Sequence, residues 1–208
     1  MVSFVYFDVG GVVMKDFSGT NKWKLMKRDI GITPEKEKEF DKFWDKYEKE
    51  VHVGRDVDTL IPLIAERFHV NSPAGYSLQA DFINRFEPNK QIWPVIDRIR
   101  KDCRIGLLTN MYPRMLNAMI RKGIMPLISW DIIIDSSIEG YQKPDLNIFK
   151  LAEQKINIKK DNILFIDNTI ENVNAAKDFG WQTFLYDSVD HKNSSRNLLD
   201  YYNSLLTK

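Results

Sequence analysis

The sequence predicts an α/β fold: a parallel sheet covered by helices on both faces, broken after its first strand by an inserted bundle of helices. Three observations carry this reading. Five short apolar runs, rich in β-branched and aromatic residues, fall at 2–7, 104–109 ("RIGLLT"), 131–134 ("DIII"), 162–166 ("NILFI") and 182–186 ("QTFLY"), and their brevity favours strands over helix fragments. Helical periods occupy the gaps between the later runs. From about 15 to 88 no convincing strand appears, and apolar residues recur at helical spacing instead.

In chain order, the first run ends in Asp8-Val9-Gly10-Gly11. The inserted stretch then carries Phe40, Phe43, Trp44, Tyr47 and Val51 on one stripe, and Val57, Leu60, Ile61, Ile64, Ala65 and Phe68 on a second. Weaker stripes surround 23–30 and 76–86. The charge-dense "PEKEKEFDKFWDKYEKEV" reads as a solvated helix face, and its Trp and Phe stripe as bundle core rather than a cofactor box. Beyond it, Ile92, Val95, Ile96 and Ile99 share one helix face, and Met115, Leu116, Met119 and Ile120 another. Ile148, Phe149, Leu151, Ala152 and Ile156 follow. Val173, Ala176 and Phe179 form a last period before Gly180, which is placed to end that helix. Strand and helix in alternation predict a parallel sheet, and such sheets bind ligands beyond the carboxyl ends of their strands. The C-terminal "LLDYYNSLL" is ordinary helix packing.

The 208 residues suit one core domain with a large insertion, or two small domains. The boundaries expected are residues 1–14 with 89–208 for the α/β core and 15–88 for the helical cap. Hydrophobic residues at 43% build a core, while charged residues at 28% nearly cancel to a net +1, so no global field points to nucleic acid or an anionic membrane. One cysteine, Cys103, excludes an internal disulfide and fits a reducing compartment. No apolar run reaches transmembrane length, and the N-terminus reads as a strand, not a signal peptide. The expectation is a cytoplasmic protein, monomer or homodimer, with a small-molecule partner.

Four strand ends carry polar groups. Asp8 is followed by two glycines that let backbone N–H groups approach an anion, which suits a nucleophilic carboxylate. Thr109-Asn110 closes the second run and offers a hydroxyl and an amide, equally the material of a turn or helix cap. Lys143 stands before Pro144 and Asp145, which look like a helix start, and its ammonium would offset carboxylate and phosphate charge. Asp167-Asn168 closes "NILFID" and supplies two oxygen ligands for a hard cation. Each signal is weak alone; the order and strand placement make the set specific.

These four motifs, "FDVGG", "LLTN", "YQKPD" and "FIDN", resemble those of the haloacid dehalogenase-like (HAD) superfamily over nearly the whole chain. The resemblance implies a Rossmann-like core under a mobile helical cap, and most relatives are Mg²⁺-dependent phosphatases. It makes Asp8 the nucleophile, with Thr109 and Lys143 beside it. Mg²⁺ would be held by Asp8, the Gly10 carbonyl, Asp167 and Asn168. Gly10, Gly11 and Asn110 would meet substrate, and Arg55, on the loop after His52, would either reach a substrate anion or stay a surface arginine. The expected activity is phosphomonoester hydrolysis of a small soluble metabolite through an aspartyl-phosphate.

Two departures from the family pattern stand out. Relatives carry a second Asp two residues after the nucleophile, as proton donor and later as base. Here that position is Gly10, and loss of such a group typically costs on the order of 10²–10⁴ in rate. Asp16, Glu171 or His52 would have to substitute, or the leaving group would have to be a good one such as a sugar 1-phosphate or acyl phosphate. Restoring the acid with Gly10→Asp is expected to raise turnover of poor leaving groups. Asn168 replaces a common second acid, which removes a charge from the metal site. The alternatives are a Mg²⁺-free dehalogenase-like hydrolase, against which Gly10 speaks, and a catalytically silent phosphate-binding module. Against silence stands the Gly-Gly-Val after Asp8, which resembles active hydrolases of the capped type. His52, His69 and His191 have no metal-ligand spacing.

Overall fold

The computed structural model describes residues 1–206. Five parallel strands form the sheet: β1 (Phe4–Phe7), β4 (Arg104–Thr109), β5 (Ile132–Asp135), β6 (Ile163–Asp167) and β7 (Gln182–Leu185), in the order β5-β4-β1-β6-β7. β1 is central, pairing through Phe7 with Leu107 of β4 on one side and with Ile166 of β6 on the other. Its four residues are fully buried, as a strand covered on both faces requires.

Alternation along β1 divides the core in two. Val5 and Phe7 point to one face with Leu107, Leu164 and Ile166; Phe4 and Tyr6 point to the other with Leu108, Ile134 and Phe165. The Phe4 and Tyr6 face is covered by α8 (Leu146–Ile156) and α9 (Ile170–Phe179), where Ile148, Phe149, Ala152 and Ala176 pack. Tyr6 keeps its hydroxyl satisfied there by donating to the Ala152 carbonyl at 2.9 Å. The Val5 and Phe7 face is covered by α5 (Trp93–Ile99), α6 (Met115–Arg121) and α10 (His191–Leu206). Gly180 ends α9 at φ 104°, its N–H returning to Ala176 and Lys177 carbonyls. Asp145 opens α8 by accepting from the Asn147 N–H at 2.9 Å.

Four helices fill the stretch after β1: α1 (Lys22–Asp29), α2 (Glu37–Val51), α3 (Ile61–Phe68) and α4 (Leu78–Arg85). One feature departs from the expectation that 15–88 is free of strands. β2 (Met14–Lys15) and β3 (Glu87–Pro88) pair antiparallel, Met14 opposite Pro88 and Lys15 opposite Glu87. Two-residue strands carry no period, so no pattern announces them. They tie the chain leaving β1 to the chain returning to α5. Among the described residues, no helix is long and apolar enough to cross a membrane.

The helical stretch does not own a separate core. Phe40, Trp44, Leu60 and Phe68 belong to the same buried cluster as Val5, Phe7 and Leu107. Phe40 is fully buried, with ring centres 5.4 Å from Phe68 and 5.7 Å from Trp23. Phe40→Ala is therefore expected to cost about 3–5 kcal/mol and to shift one shared transition. Far-UV and near-UV circular dichroism should report the same urea midpoint; two separated transitions would mean the helices unfold alone.

Candidate active site

The site lies where β1, β4 and β6 end. Lys143, from the loop before α8, reaches between two of these ends. Its Nζ is 2.9 Å from Asp8 Oδ1 and donates to Asp167 Oδ2 at 2.6 Å. All three side chains are buried. Asp8 Oδ1 also accepts the Val9 N–H at 2.7 Å. Oδ1 thus carries two donors. Asp167 accepts from the Thr169 N–H at 2.8 Å and from Asn172 Nδ2 at 3.1 Å, so its carboxylate is held from several sides. Asn172 was not singled out from sequence; it lies five residues after Asp167 in the first turn of α9, close enough to reach back.

Burial raises the Asp8 carboxyl to about 7; Lys143 opposes the shift, Asp167 adds to it, and the Val9 N–H opposes it. For Lys143 burial disfavours the charge, but Asp167 and Asp8 outweigh it and hold the ammonium above its ordinary value. One ammonium beside two carboxylates leaves a net negative charge in a buried place. The oxygens expected to meet a cation are the two carboxylates, the Gly10 carbonyl and the Asn168 amide oxygen, all hard donors suited to Mg²⁺. Among the described residues, no group of three His, Cys, Asp or Glu side chains is placed to hold a metal. An ion there would rely on neutral oxygens and water, as Mg²⁺ commonly does.

Thr109 is fully buried, and its hydroxyl points to the Asn110 carbonyl at 3.4 Å, long for an O–H donor. Asn110 lines the cavity beside Gly10 and also holds the Lys143 loop. Its Nδ2 donates to the Lys143 carbonyl at 2.9 Å and its Oδ1 accepts the Lys143 N–H at 2.8 Å. Both ends of the amide are engaged, so it is a positioning residue that fixes the Lys143 loop against β4.

Gly11 has φ 71°, and a Cβ there would fall 2.2 Å from Asn168 Nδ2. Backbone conformation and contact both demand glycine. Asn168 lies over Gly11 and donates to Ser18 Oγ at 3.2 Å. Gly10 is different: a Cβ would meet Asp16 Oδ2 at 3.1 Å. The Asp16 carboxylate, oriented by the Ser18 N–H at 2.8 Å, therefore stands where a side chain at position 10 would begin. Of the other substitutes considered, Glu171 is exposed on α9. His52 pairs with Gln142 Oε1 at 3.1 Å, and burial lowers its pKa.

Arg55 takes the surface alternative. It is not among the residues lining the cavity beside Gly10. Its guanidinium bonds Glu50 at 2.5 Å and Thr59 at 3.0 Å and stacks on Tyr47 at 5.0 Å. A carboxylate five residues away captured it. The expected solvated charge run is also partly buried. Glu48 of α2 accepts from the Tyr112 hydroxyl at 3.0 Å and, with Trp44, lines that cavity. Nothing in the spacing of α2 separates Glu48 from its solvated neighbours, because its partner is 64 residues away.

The family model for haloacid dehalogenase-like hydrolases matches residues 7–180, and the chain belongs to that family. Among solved structures, a HAD-like hydrolase from Porphyromonas gingivalis is 21% identical, covers 100% of this chain and 99% of its own, and has a TM-score of 0.77. A HAD family enzyme from Bacteroides thetaiotaomicron, solved with magnesium and inorganic phosphate, is 17% identical over 90% of this chain and 96% of its own, TM-score 0.72. The L-2-haloacid dehalogenase of Xanthobacter autotrophicus, solved with chloropropionic acid covalently bound, is 18% identical over 89% and 78%, TM-score 0.64. At these identities they share the fold. Mouse acyl-CoA dehydrogenase family member 10 is 27% identical over 84 residues, 39% of this chain and 8% of that protein's length.

Removing the Lys143 ammonium leaves two buried carboxylates uncompensated. Lys143→Met is expected to cost about 3–5 kcal/mol near neutral pH. The folded Asp8 pKa already lies above its unfolded value of 3.8, so Asp8 costs stability as pH rises through about 7. The deficit of Lys143→Met should therefore be larger in alkaline than in acidic urea titrations. A deficit that does not depend on pH would contradict the bridge.

Proposed function

We propose that the protein is a Mg²⁺-dependent phosphomonoesterase acting on a small soluble phosphorylated compound, with Asp8 as nucleophile. The observation that carries this reading is the Lys143 bridge, 2.9 Å to Asp8 and 2.6 Å to Asp167. It opposes the rise that burial imposes on the Asp8 pKa, so that the carboxylate forms near neutral pH next to a second acid at adjacent strand ends. The magnesium and phosphate named for the Bacteroides enzyme support the same chemistry by analogy. The helical stretch at 15–88 serves as the cap over the site.

Asp8 Oδ2 attacks phosphorus in line, the bond from phosphorus to the alcohol oxygen breaks, and an aspartyl-phosphate forms. Water oxygen then attacks that phosphorus, the bond to Oδ2 breaks, and phosphate leaves. Mg²⁺, when bound through Asp8, the Gly10 carbonyl, Asp167 and Asn168, supplies positive charge to the transferring phosphoryl oxygens. Lys143, the Thr109 hydroxyl and the N–H groups that follow Asp8 meet the remaining charge. Asp16 takes the role missing at Gly10. Its carboxyl gives a proton to the departing alcohol oxygen and then removes one from the attacking water.

A generic aryl phosphate should be hydrolysed only with Mg²⁺, and Asp8→Asn should abolish turnover. Chloride release from a haloacid without metal would instead establish the dehalogenase alternative. Absence of all turnover, with phosphate still raising the melting temperature, would establish a binding module.

Asp16→Asn should slow alkyl phosphates by about 10²–10⁴. With nitrophenyl phosphate, whose leaving group needs no proton, it should give a burst of nitrophenolate followed by slow turnover. The gain expected from sequence for Gly10→Asp alone is revised, because the new Cβ falls 3.1 Å from Asp16 Oδ2 and two carboxyls would crowd one place. Gly10→Asp should raise activity only in the Asp16→Ala background. A gain in the wild-type background would count against Asp16.

A further inference from the structure

A cavity of about 310 Å³ opens beside Gly10 and Asn110, at the small end of the range for ligand pockets. Its walls include Trp23, Trp44, Phe82 and Tyr112. These rings pack on one another, Trp23 with Trp44 at 5.1 Å, Trp44 with Phe82 at 5.4 Å and Phe82 with Tyr112 at 5.6 Å, so the wall is preformed. The ionisable groups on the lining are Asp16, Glu48, His52 and Tyr112. Burial lowers the His52 pKa and raises that of Tyr112, so neither ring is charged near neutrality. Among the described residues, no lysine or arginine lines the cavity.

The cavity thus offers apolar area and the Glu48 carboxylate, and no lysine or arginine, with Asp16 as the proposed proton donor. An anionic group inside it would lose its water against aromatic faces and face Glu48 without a counterion. An uncharged alkyl or aryl face would gain from burial. A cationic nitrogen would be favoured over the same rings. We propose that this cavity takes the alcohol half of a phosphomonoester, and that this half is an apolar-faced group without negative charge. The inference rests on the phosphatase reading only in placing the phosphate at Asp8. It excludes bisphosphates and phosphorylated carboxylic acids as preferred substrates.

Binding is measured by calorimetry and tryptophan emission on Asp8→Asn with Mg²⁺, so turnover does not enter. Three phosphomonoesters of similar length are compared: phosphocholine, its uncharged carbon isostere neohexyl phosphate, and carboxypropyl phosphate. Neohexyl phosphate and phosphocholine should each bind about tenfold or more tightly than carboxypropyl phosphate, and both should alter the emission of Trp23 and Trp44. In Glu48→Lys the gap should close to about threefold or less. Equal or tighter binding of the carboxylate, or binding of the first two without any change in emission, would overturn the inference while leaving the Asp8 chemistry untouched. Failure of aryl phosphate hydrolysis with this binding preference intact would do the reverse.

Discussion

One ammonium group joins two buried acids, and most of the molecule is arranged to make that possible. Asp8 and Asp167 end neighbouring parallel strands, so the sheet itself brings two like charges together. Buried carboxylates at that spacing repel and would take up protons. Lys143 offsets this with contacts of 2.9 and 2.6 Å. Its own burial is tolerable because Asn110 clamps its backbone at 2.8 and 2.9 Å. Asn172 and the Thr169 N–H hold the second acid in place. The result is two acids sharing one ammonium, with Asp8 ionising near pH 7 and a deficit of positive charge once it does. On the proposed reading a hard cation fills that deficit.

The glycines after Asp8 follow from the same crowding. Gly11 passes under Asn168 so closely that no side chain fits. Gly10 leaves room on the other side, and the Asp16 carboxylate stands against that room. A side chain supplied from beyond β2 thus stands where one at position 10 would begin. The ribbon of β2 and β3 holds the base of the loop that presents Asp16, and it also returns the helical stretch to the sheet. That stretch shares its buried cluster with the sheet face under it. Any movement of that stretch away from the sheet must break apolar contacts.

The sheet was legible because each strand is a short apolar run between breakers, and the four strand-end motifs because their order is constrained. The runs at 104–109 and 182–186 became strands at Arg104–Thr109 and Gln182–Leu185. What stayed hidden depends on partners distant in sequence. Glu48 looks like any charge on a solvated helix until Tyr112 approaches it. Trp44 and Phe82 fit a helix core equally well whether or not a cavity opens beside them. Arg55 shows the opposite case: its partner, Glu50, is local. Asp16 could be suspected as one of three acid–base candidates, but only coordinates place it against Gly10. Lengths as short as those of β2 and β3 leave no period to read.

The account stands on Asp8 taking the phosphoryl group. The most direct measurement is mass spectrometry of peptides from protein quenched in acid within a single turnover of an aryl phosphate and Mg²⁺. One added phosphoryl group on the peptide containing Asp8, lost on hydroxylamine treatment as an acyl phosphate should be, is the expected result. Turnover with the phosphoryl group on another residue, or with no covalent intermediate at any time point, would contradict it.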